Sequence, residues 1–304
     1  MRVQLFGHWL LAPMDNLNPV SPQFVFLIGA ARSGTKFLRD VLAASDFVAR
    51  VPFDVNYVWR YGNESLPDDR IDDHNATPEI RQYIRATLTR MARRSKGFPA
   101  PIVIEKSVSN VFRVPFMFRL FPDAKFIHLV RDGRDVSLSA ARQWENPSDA
   151  RYLIGKIRYF PLRNVKYALW FLKNALSRRS EGSRRFPVWG PRYSGIDRDV
   201  AELTAIEIAA KQWSESVLAA SEGLALIPDQ QKSTIRYEDL VSNVGFLSKL
   251  TEFLELPDPD TVIANYNDVL EGGKSGAWRA LPETEQSAML RLIEPQLRQL
   301  GYYD

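Results

Sequence analysis

The stretch FVFLIGAARSGTKFL, from Phe24 to Leu38, decides the fold of this chain. It opens with an apolar run of strand length, passes through a loop bounded by Gly29 and Gly34, and ends with apolar residues at helical spacing. A short apolar run that ends at a glycine is typical of a buried strand in a parallel sheet. The stretch therefore predicts a strand, a glycine-containing loop and a helix in direct succession, which is the context that an anion-binding loop requires.

The loop departs from the one that binds nucleoside triphosphates, which reads G-x-x-x-x-G-K-[ST]. Gly29 and Gly34 have that spacing, but Thr35 and Lys36 follow, so the lysine and the hydroxyl residue have changed places. Arg32 lies inside the loop. Backbone N–H groups of such a turn and the positive end of the next helix attract anions. Two cations and two hydroxyls in five residues favour a phosphate or sulfate site over a plain connecting turn with a solvated Arg32.

A second polar cluster lies in FIHLVRDGRDVSLSAARQW, residues 126–144. Arg131 follows the apolar strand, and Ser139 lies about two helical turns further on. Arginine offers a planar fork of donors, so these two side chains can together hold a second phosphate. The alternative is that Arg131 pairs with Asp132 or Asp135 at a solvated helix start.

Apolar strands and amphipathic helices alternate along the chain. Strands are predicted at 24–28, 101–106, 125–131 and 233–237. Helices are predicted at 35–44, 78–94, 133–144, 201–222, 242–255 and 282–300. This alternation implies an α/β fold, in which a parallel sheet of about four to five strands is flanked by helices in a three-layer sandwich. Ligands of such sheets bind at the carboxyl ends of the strands, where both polar clusters fall.

One segment interrupts this rhythm and carries the basic excess of the chain. Residues 145–200 hold 12 Lys and Arg against 5 Asp and Glu, a net charge of +7, within a chain of net charge +4. A helix is predicted over 162–179, with an apolar side at 165, 168, 169, 172 and 176. The segment is interpreted as an insertion. It is either a core-packed helix with a solvated basic face, a lid for an anionic glycan or lipid acceptor, or a membrane surface over 150–198.

Composition excludes several kinds of site. The chain has no cysteine, which excludes disulfides, thiolate metal sites and a cysteine nucleophile. Its three histidines, His8, His74 and His128, show no metal-ligand spacing. The charge is confined and no nucleic-acid module is present, so nucleic acid is not an expected partner. A weak signal-peptide pattern at the N-terminus and the lack of a membrane-length apolar run predict a cytoplasmic protein.

Together the two polar clusters carry a resemblance. LIGAARSGTKFL followed by FPDAKFIHLVRDGRDVSLSA resembles the sulfotransferase family that uses 3′-phosphoadenosine 5′-phosphosulfate. Weaker matches follow in the family's order, namely VIEKSVSN at 103–110, QWSESVLAA at 212–220, IRYEDL at 235–240 and SGAWRALP at 275–282. In the family the first loop grips the 5′-phosphosulfate, and the strand–Arg–helix–Ser motif grips the 3′-phosphate. The resemblance implies a P-loop-like fold and transfer of a sulfuryl group without a metal ion.

The resemblance also implies roles for individual residues. The donor-binding residues would be Arg32, Ser33, Gly34, Thr35, Lys36, Phe37, Arg131, Ser139, Tyr237, Lys274, Ser275 and Trp278. The catalytic candidates are Arg32, Lys36, Asp54, Glu105 and Lys106. Arg32 is assigned to the bridging oxygen and the transferring group, and Lys36 to the 5′-phosphate.

The sequence does not determine which residue is the general base. The cytosolic branch of the family has a histidine after its Lys-Thr pair, whereas here Val108 follows Lys106 and Ser107. Other branches use a carboxylate about 20–30 residues after the loop. Asp54 is the first candidate on that spacing and Glu105 the second. Glu64 and His74 are weaker candidates still.

The closing segment departs from the family as well. Where cytosolic members have a basic Arg-Lys-Gly triplet, this chain has Glu271, Gly272 and Gly273. Lys274 and Ser275 are the residues at hand to replace it.

The sequence is interpreted as one sulfotransferase domain over 1–304. Its nucleotide-binding core covers about 22–144 and 200–304, and the insertion lies on the acceptor side. The acceptor is expected to be a small molecule, a glycan or a lipid with a hydroxyl, or less favourably an amine. The sequence does not determine the oligomeric state.

One alternative function is that of a P-loop kinase or other triphosphate enzyme, with Thr35 on Mg²⁺ and Asp132 as its acidic partner. Another is a non-catalytic protein that binds anionic surfaces.

Overall fold

The computed structural model describes residues 21–145, 159–167, 188–269 and 275–302. In these residues five parallel strands form one sheet, in the order β2-β3-β1-β4-β5. The strands are β1 Gln23–Ile28, β2 Val48–Arg50, β3 Ile102–Glu105, β4 Lys125–Val130 and β5 Lys232–Arg236. This confirms the predicted α/β fold with a parallel sheet.

Helices connect the strands and cover both faces of the sheet. In the first half of the chain they are α1 Thr35–Leu42, α2 Asn56–Trp59, α3 Pro78–Lys96, α4 Val114–Leu120 and α5 Gly133–Glu145. In the second half they are α6 Ile196–Glu202, α7 Ala205–Ala225, α8 Tyr237–Ser242, α9 Gly245–Phe253, α10 Pro259–Val269 and α11 Glu283–Gln299. No helix in the described ranges is both long and apolar enough to cross a bilayer.

The central strand β1 shows why its sequence is apolar throughout. Phe24, Phe26 and Ile28 point into the core on one face, whereas Val25 and Leu27 point into the core on the other. Side chains alternate across a strand, so a strand covered on both faces must be apolar at every position. Burying each of these side chains contributes about 1.5–3 kcal/mol to stability, which fixes β1 as the middle of the sheet.

The structure differs from the prediction at strand β2 and at the start of one helix, for local reasons. Strand β2, which has three residues, was not predicted because so short a run carries no periodic signal. The helix predicted over 242–255 begins at Gly245 instead, because a separate helix, α8, ends at Ser242. The Asn243 side chain accepts a hydrogen bond from the Gly245 N–H at 2.8 Å, and helix α9 starts there.

Several sequence predictions fall outside the described residues. They are the helical stretch from 168 to 179, most of the basic insertion, the N-terminal twenty residues and Lys274.

Candidate active site

The two polar clusters meet at one edge of the sheet. Strand β1 lies between β3 and β4, and the chain crosses from one side of the sheet to the other between β3 and β4. The loops after β1 and β4 therefore flank the point where the strand order reverses. A crevice forms there in open α/β sheets and holds their ligands.

The loop after β1 has a tight backbone that requires glycine at positions 29 and 34. A Cβ on Gly29 would lie 2.6 Å from the Leu129 carbonyl oxygen, and one on Gly34 would lie 2.5 Å from the Tyr237 ring. Gly34 has a φ of 95° and is the N-cap of α1, while Arg32 has a φ of 72°. These left-handed conformations turn the chain sharply ahead of the helix, as an anion-binding loop requires.

The hydroxyl residues of this loop differ in their surroundings. The Ser33 hydroxyl is buried and donates to the Ala30 carbonyl at 2.7 Å, so it braces the turn. Thr35 is also buried, at the first position of α1, and lines the cavity described below. Phe37 packs on the neighbouring apolar core and contacts the Tyr266 ring at 6.0 Å between centroids.

Two guanidinium groups converge where the loops meet. The Arg32 Nε donates to the Ser139 Oγ at 3.0 Å, and an Arg131 Nη donates to the Arg32 carbonyl at 3.3 Å. The Arg131 guanidinium stacks over the Tyr237 ring, 4.2 Å from its centroid. Burial lowers the pKa of Arg32, and the positive charge of Arg131 lowers it further. Two cations held this close favour an anionic ligand between them.

A cavity of about 570 Å³ opens beside these guanidinium groups. Residues from the loop after β1, from the segments that follow neighbouring strands and from the described parts of residues 145–200 line it. They are Ala31, Arg32, Gly34, Thr35, Lys36, Asp54, Asn56, Lys106, Val108, Ser109, Arg131, Gln143, Tyr167, Trp189 and Gly190. The cavity thus brings together most of the predicted loop residues with Arg131, Asp54 and Lys106.

Asp54 and Lys106 form an ion pair in the cavity wall. The Lys106 Nζ lies 2.9 Å from an Asp54 carboxylate oxygen, and the Asp54 side chain keeps 27% of its surface exposed. The two residues follow the adjacent strands β2 and β3, which brings them together although they are 52 residues apart. Asp54 is therefore a carboxylate that a ligand in the cavity can reach.

Glu105, the second candidate base, is placed differently. It ends β3, has no exposed surface and does not line the cavity. Its carboxyl group accepts hydrogen bonds from the Ser107 hydroxyl at 2.5 Å and from the Asn110 side chain at 2.6 Å. Ser107 in turn accepts from the backbone N–H of Val55 at 2.8 Å. Through Ser107, Glu105 thus fixes the backbone next to Asp54.

The other residues predicted to bind the donor lie at the rim of the cavity, as Lys36 does, or outside its lining, as Ser275 and Trp278 do. The Lys36 side chain is exposed, with its Nζ 3.1 Å from Asp40. Ser275 and the backbone N–H of Gly276 donate to the Asp135 carboxylate at 3.4 and 2.9 Å. The Trp278 ring lies 4.8 Å from the Arg134 guanidinium.

The weaker base candidates do not line the cavity either. His74 is exposed in a short 3₁₀ helix. Glu64 is half-buried, and its backbone carbonyl accepts a hydrogen bond from Arg60. Neither position supports a role as the base.

Sequence reasoning missed a buried ion cluster behind the cavity. Asp69 lies 3.2 Å from Arg60 and 3.9 Å from Arg113, and all three side chains are almost fully buried. Burial alone would raise the pKa of Asp69, but Arg113 and several hydrogen bonds lower it overall. The Asn56 side chain donates a hydrogen bond to Asp69 and accepts one from Arg113. The Ser109 hydroxyl donates to Asp69 at 2.8 Å. This cluster holds two lining residues in place, and no periodic signal could reveal it.

The buried Glu105 predicts a pH dependence of stability. Burial raises its pKa from 4.5 to about 7, although its hydrogen bonds act in the opposite direction. A carboxyl whose pKa is higher in the folded state stabilises the fold fully below pH 4.5, and this contribution is lost as the pH rises through about 7. Relative to Glu105→Gln, the wild-type free energy of unfolding should fall by about 1–3 kcal/mol over that interval. Urea unfolding at several pH values measures it.

Glutamine can replace the protonated acid here because the Asn110 side-chain oxygen is buried without a partner. A flip of that amide lets it accept from the new side chain. Parallel pH profiles of the two proteins would contradict the assignment.

Comparison with known proteins points to one family. Residues 22–158, a little under half of the chain, match the model of the sulfotransferase family. The match covers β1 to β4, and so both loops that hold the converging guanidinium groups.

Individual sulfotransferases resemble the chain in part. Protein-tyrosine sulfotransferase 1 of Mus musculus and of Homo sapiens are each 28% identical over 116 residues, which is 36% of this chain and 31% of theirs. The chain thus matches about a third of the length of these curated relatives. Two solved structures share the fold at a TM-score of 0.50. The sulfotransferase domain from the curacin biosynthetic pathway is 17% identical and covers 92% of this chain and 98% of its own. Sulfotransferase STF9 from Mycobacterium avium is 12% identical and covers 92% and 77%.

Proposed function

We propose that this protein transfers the sulfuryl group of 3′-phosphoadenosine 5′-phosphosulfate to a hydroxyl of an acceptor bound in the cavity. The observation that carries the proposal is the convergence of Arg32, Arg131 and Ser139 at the switch point of the sheet. A donor with two separate phosphate ends needs two such cationic contacts. The match of residues 22–158 to the sulfotransferase family model supports the same chemistry.

The residues present fit this donor. The glycine loop and the start of α1 supply the backbone cradle for the 5′-phosphosulfate, where Cβ atoms on Gly29 and Gly34 would collide with neighbours. Arg131 and Ser139 would hold the 3′-phosphate. Lys36 would reach the 5′-phosphate by leaving Asp40, and a surface ion pair of this kind is worth only about 0.3–0.5 kcal/mol. Tyr237, stacked under Arg131, is a platform for the adenine side of the donor.

The chemical step follows from the cavity wall. The acceptor oxygen forms a bond to sulfur while the bond from sulfur to the bridging oxygen breaks. The electron pair of the broken bond stays on adenosine 3′,5′-bisphosphate. Asp54 takes the acceptor proton, and its ion pair with Lys106 orients the carboxylate. The Arg32 guanidinium stabilises the charge that develops on the bridging oxygen. Cationic side chains thus supply the stabilisation for which triphosphate enzymes use Mg²⁺.

The acceptor side of the cavity combines aromatic and polar surfaces. Tyr167 and Trp189 are aromatic lining residues, and Gln143 is a lining residue with an amide. Such a wall suits a small molecule, a glycan or a lipid headgroup that carries a hydroxyl.

We further propose that residues 1–304 form a single domain with the insertion on the acceptor side of the cavity. A cytoplasmic location and the lack of a nucleic-acid partner remain predictions.

The triphosphate-enzyme alternative has less support. Asp132, which would serve as the acidic partner of Mg²⁺, accepts hydrogen bonds from the Arg134 guanidinium at 2.7–3.1 Å.

Calorimetry of nucleotide binding tests the proposal. We expect adenosine 3′,5′-bisphosphate to bind tightly without Mg²⁺, and ATP not to bind with or without it. Arg131→Met should weaken bisphosphate binding about 10–100-fold, because charged hydrogen bonds to the 3′-phosphate are lost. Arg119→Met, an exposed arginine on α4, is the matched control and should bind like the wild type. Tight ATP binding that depends on Mg²⁺ would overturn the proposal.

A further inference from the structure

Helix α3, which lies outside the insertion, carries a concentration of basic residues. It contains six cations, Arg81, Arg85, Arg90, Arg93, Arg94 and Lys96, against the single acid Glu79. Arg90, Arg93 and Arg94 are exposed, and their spacing places them on one side of the helix. The charge count of the chain hides this concentration because acidic residues elsewhere balance it.

Exposed aromatic side chains lie at the C-terminal end of this helix. Phe98 and Phe47 keep 44% and 37% of their surface exposed. Lys96 links them, since its Nζ lies 5.5 Å from the centroid of the Phe98 ring and 2.7 Å from the carbonyl oxygen of Ser45, two residues before Phe47. Among the large apolar side chains exposed in the described ranges, these two are the aromatic ones. The end of α3 therefore combines rings with cations.

A second group of exposed residues packs against the middle of the same helix. Asn164 accepts a hydrogen bond from Tyr83 of α3, which anchors the segment 163–166. In that segment Val165 is 54% exposed, and Arg163 and Lys166 are exposed beside it. The segment thus extends the basic face of the helix.

These residues together form the α3 surface. It comprises Phe47, Arg90, Arg93, Arg94, Lys96, Phe98, Arg163, Val165 and Lys166. We propose that the α3 surface binds anionic lipid bilayers peripherally. Its exposed arginines complement the negative headgroup region, and each contributes about fivefold in affinity close to such a surface. Lys96 contributes less, because its Nζ lies 3.3 Å from the carboxylate of Asp46, which is itself exposed.

The apolar members of the surface favour a bilayer over an acidic protein or polymer. Phe47, Phe98 and Val165 are exposed among the cations. An acidic polymer offers no apolar surface against which these side chains could be buried. In a bilayer, rings and long basic side chains both find favourable positions at the headgroup boundary. Cations and apolar side chains on one face therefore match a lipid interface on both counts.

The α3 surface adjoins the cavity. The Arg94 guanidinium lies 4.7 Å from the centroid of the Tyr159 ring, and that ring contacts Phe53 at 5.6 Å between centroids. Phe53 precedes Asp54, and Tyr167 of the cavity wall follows Lys166. If the proposed function holds, bilayer binding places a lipid-borne hydroxyl near Asp54; the binding itself does not depend on that function.

Co-sedimentation with vesicles tests the proposal on the full chain without any donor. We expect binding to phosphatidylcholine vesicles that contain phosphatidylglycerol, little binding to phosphatidylcholine alone, and weaker binding at high salt. Arg90→Gln with Arg93→Gln should lower the partition coefficient about 25-fold. Arg298→Gln with Lys249→Gln, exposed cations on α11 and α9, removes the same charge and should bind like the wild type.

Phe98→Ser separates lipid insertion from simple charge attraction. It leaves the charge unchanged and should lower vesicle binding several-fold at both low and high salt, because the ring no longer enters the headgroup region. Equal binding to both kinds of vesicle, or an equal loss in the control pair, would overturn the proposal. Binding to polyglutamate or RNA without binding to vesicles would assign the surface to an acidic polymer instead.

Discussion

Replacement of Arg32 by asparagine should lower kcat about 10²–10³-fold, because the charge that stabilises the bridging oxygen is lost. Asparagine is the chosen substitute because Arg32 has a φ of 72°, a conformation that asparagine tolerates better than alanine does. The loop should therefore keep its shape. The readout is release of adenosine 3′,5′-bisphosphate, with an acceptor found by screening hydroxyl compounds against radiolabelled donor.

Arg32→Lys is the matched control for this experiment. It keeps a positive charge but loses the Nε–H that donates to Ser139, so an intermediate rate is expected. Calorimetry of bisphosphate binding to both variants separates a loss of chemistry from a loss of donor binding. Wild-type turnover in Arg32→Asn would remove Arg32 from the mechanism.

Asp54→Asn should lower kcat about 10²–10⁴-fold while leaving donor binding close to that of the wild type. The amide cannot take the proton of the acceptor hydroxyl, and the ion pair with Lys106 is lost with the charge. In the proposed mechanism Asp54 contacts the acceptor and not the donor, which is why the affinity for adenosine 3′,5′-bisphosphate should not follow the fall in rate. Single-turnover kinetics with saturating donor measures the chemical step.

Glu105→Gln gives the comparison that identifies the base. Glu105 is buried and acts on Asp54 through Ser107 and the Val55 backbone, so its variant should retain much more turnover than Asp54→Asn. A fall in kcat as large in Glu105→Gln as in Asp54→Asn would reject the assignment of the base to Asp54 alone.

The two loops that carry Arg32 and Arg131 were predictable because their signals are local. The glycine spacing, the apolar run of β1 and the Arg131–Ser139 spacing each lie within twenty residues of chain, where periodicity reports burial and turn geometry directly. The carboxylates of the candidate site were less predictable. Asp54 and Glu105 are both carboxylates near strand ends, and no local pattern distinguishes the reachable one from the buried one.

The basic surface of α3 shows a different limit. A charge count over long segments assigned the excess to residues 145–200, yet α3 alone holds six cations and one acid. Opposite charges cancel in such a sum although they lie on different faces of the molecule. Only the folded arrangement shows which charges are neighbours.

The sequence by itself determined the α/β class, the strand–loop–helix that can cradle a phosphate, and the arginine that follows β4. These depend on glycine conformation and on side-chain periodicity, which act over a few residues. The tertiary structure decided which of these groups meet. Arg32 reaches Ser139 across 107 residues because β1 and β4 are neighbours in the sheet, and Asp54 meets Lys106 because β2 and β3 are neighbours. The order of the parallel strands depends on how helices pack on both faces of the sheet. The same packing buries the Glu105 carboxyl group and leaves that of Asp54 partly exposed.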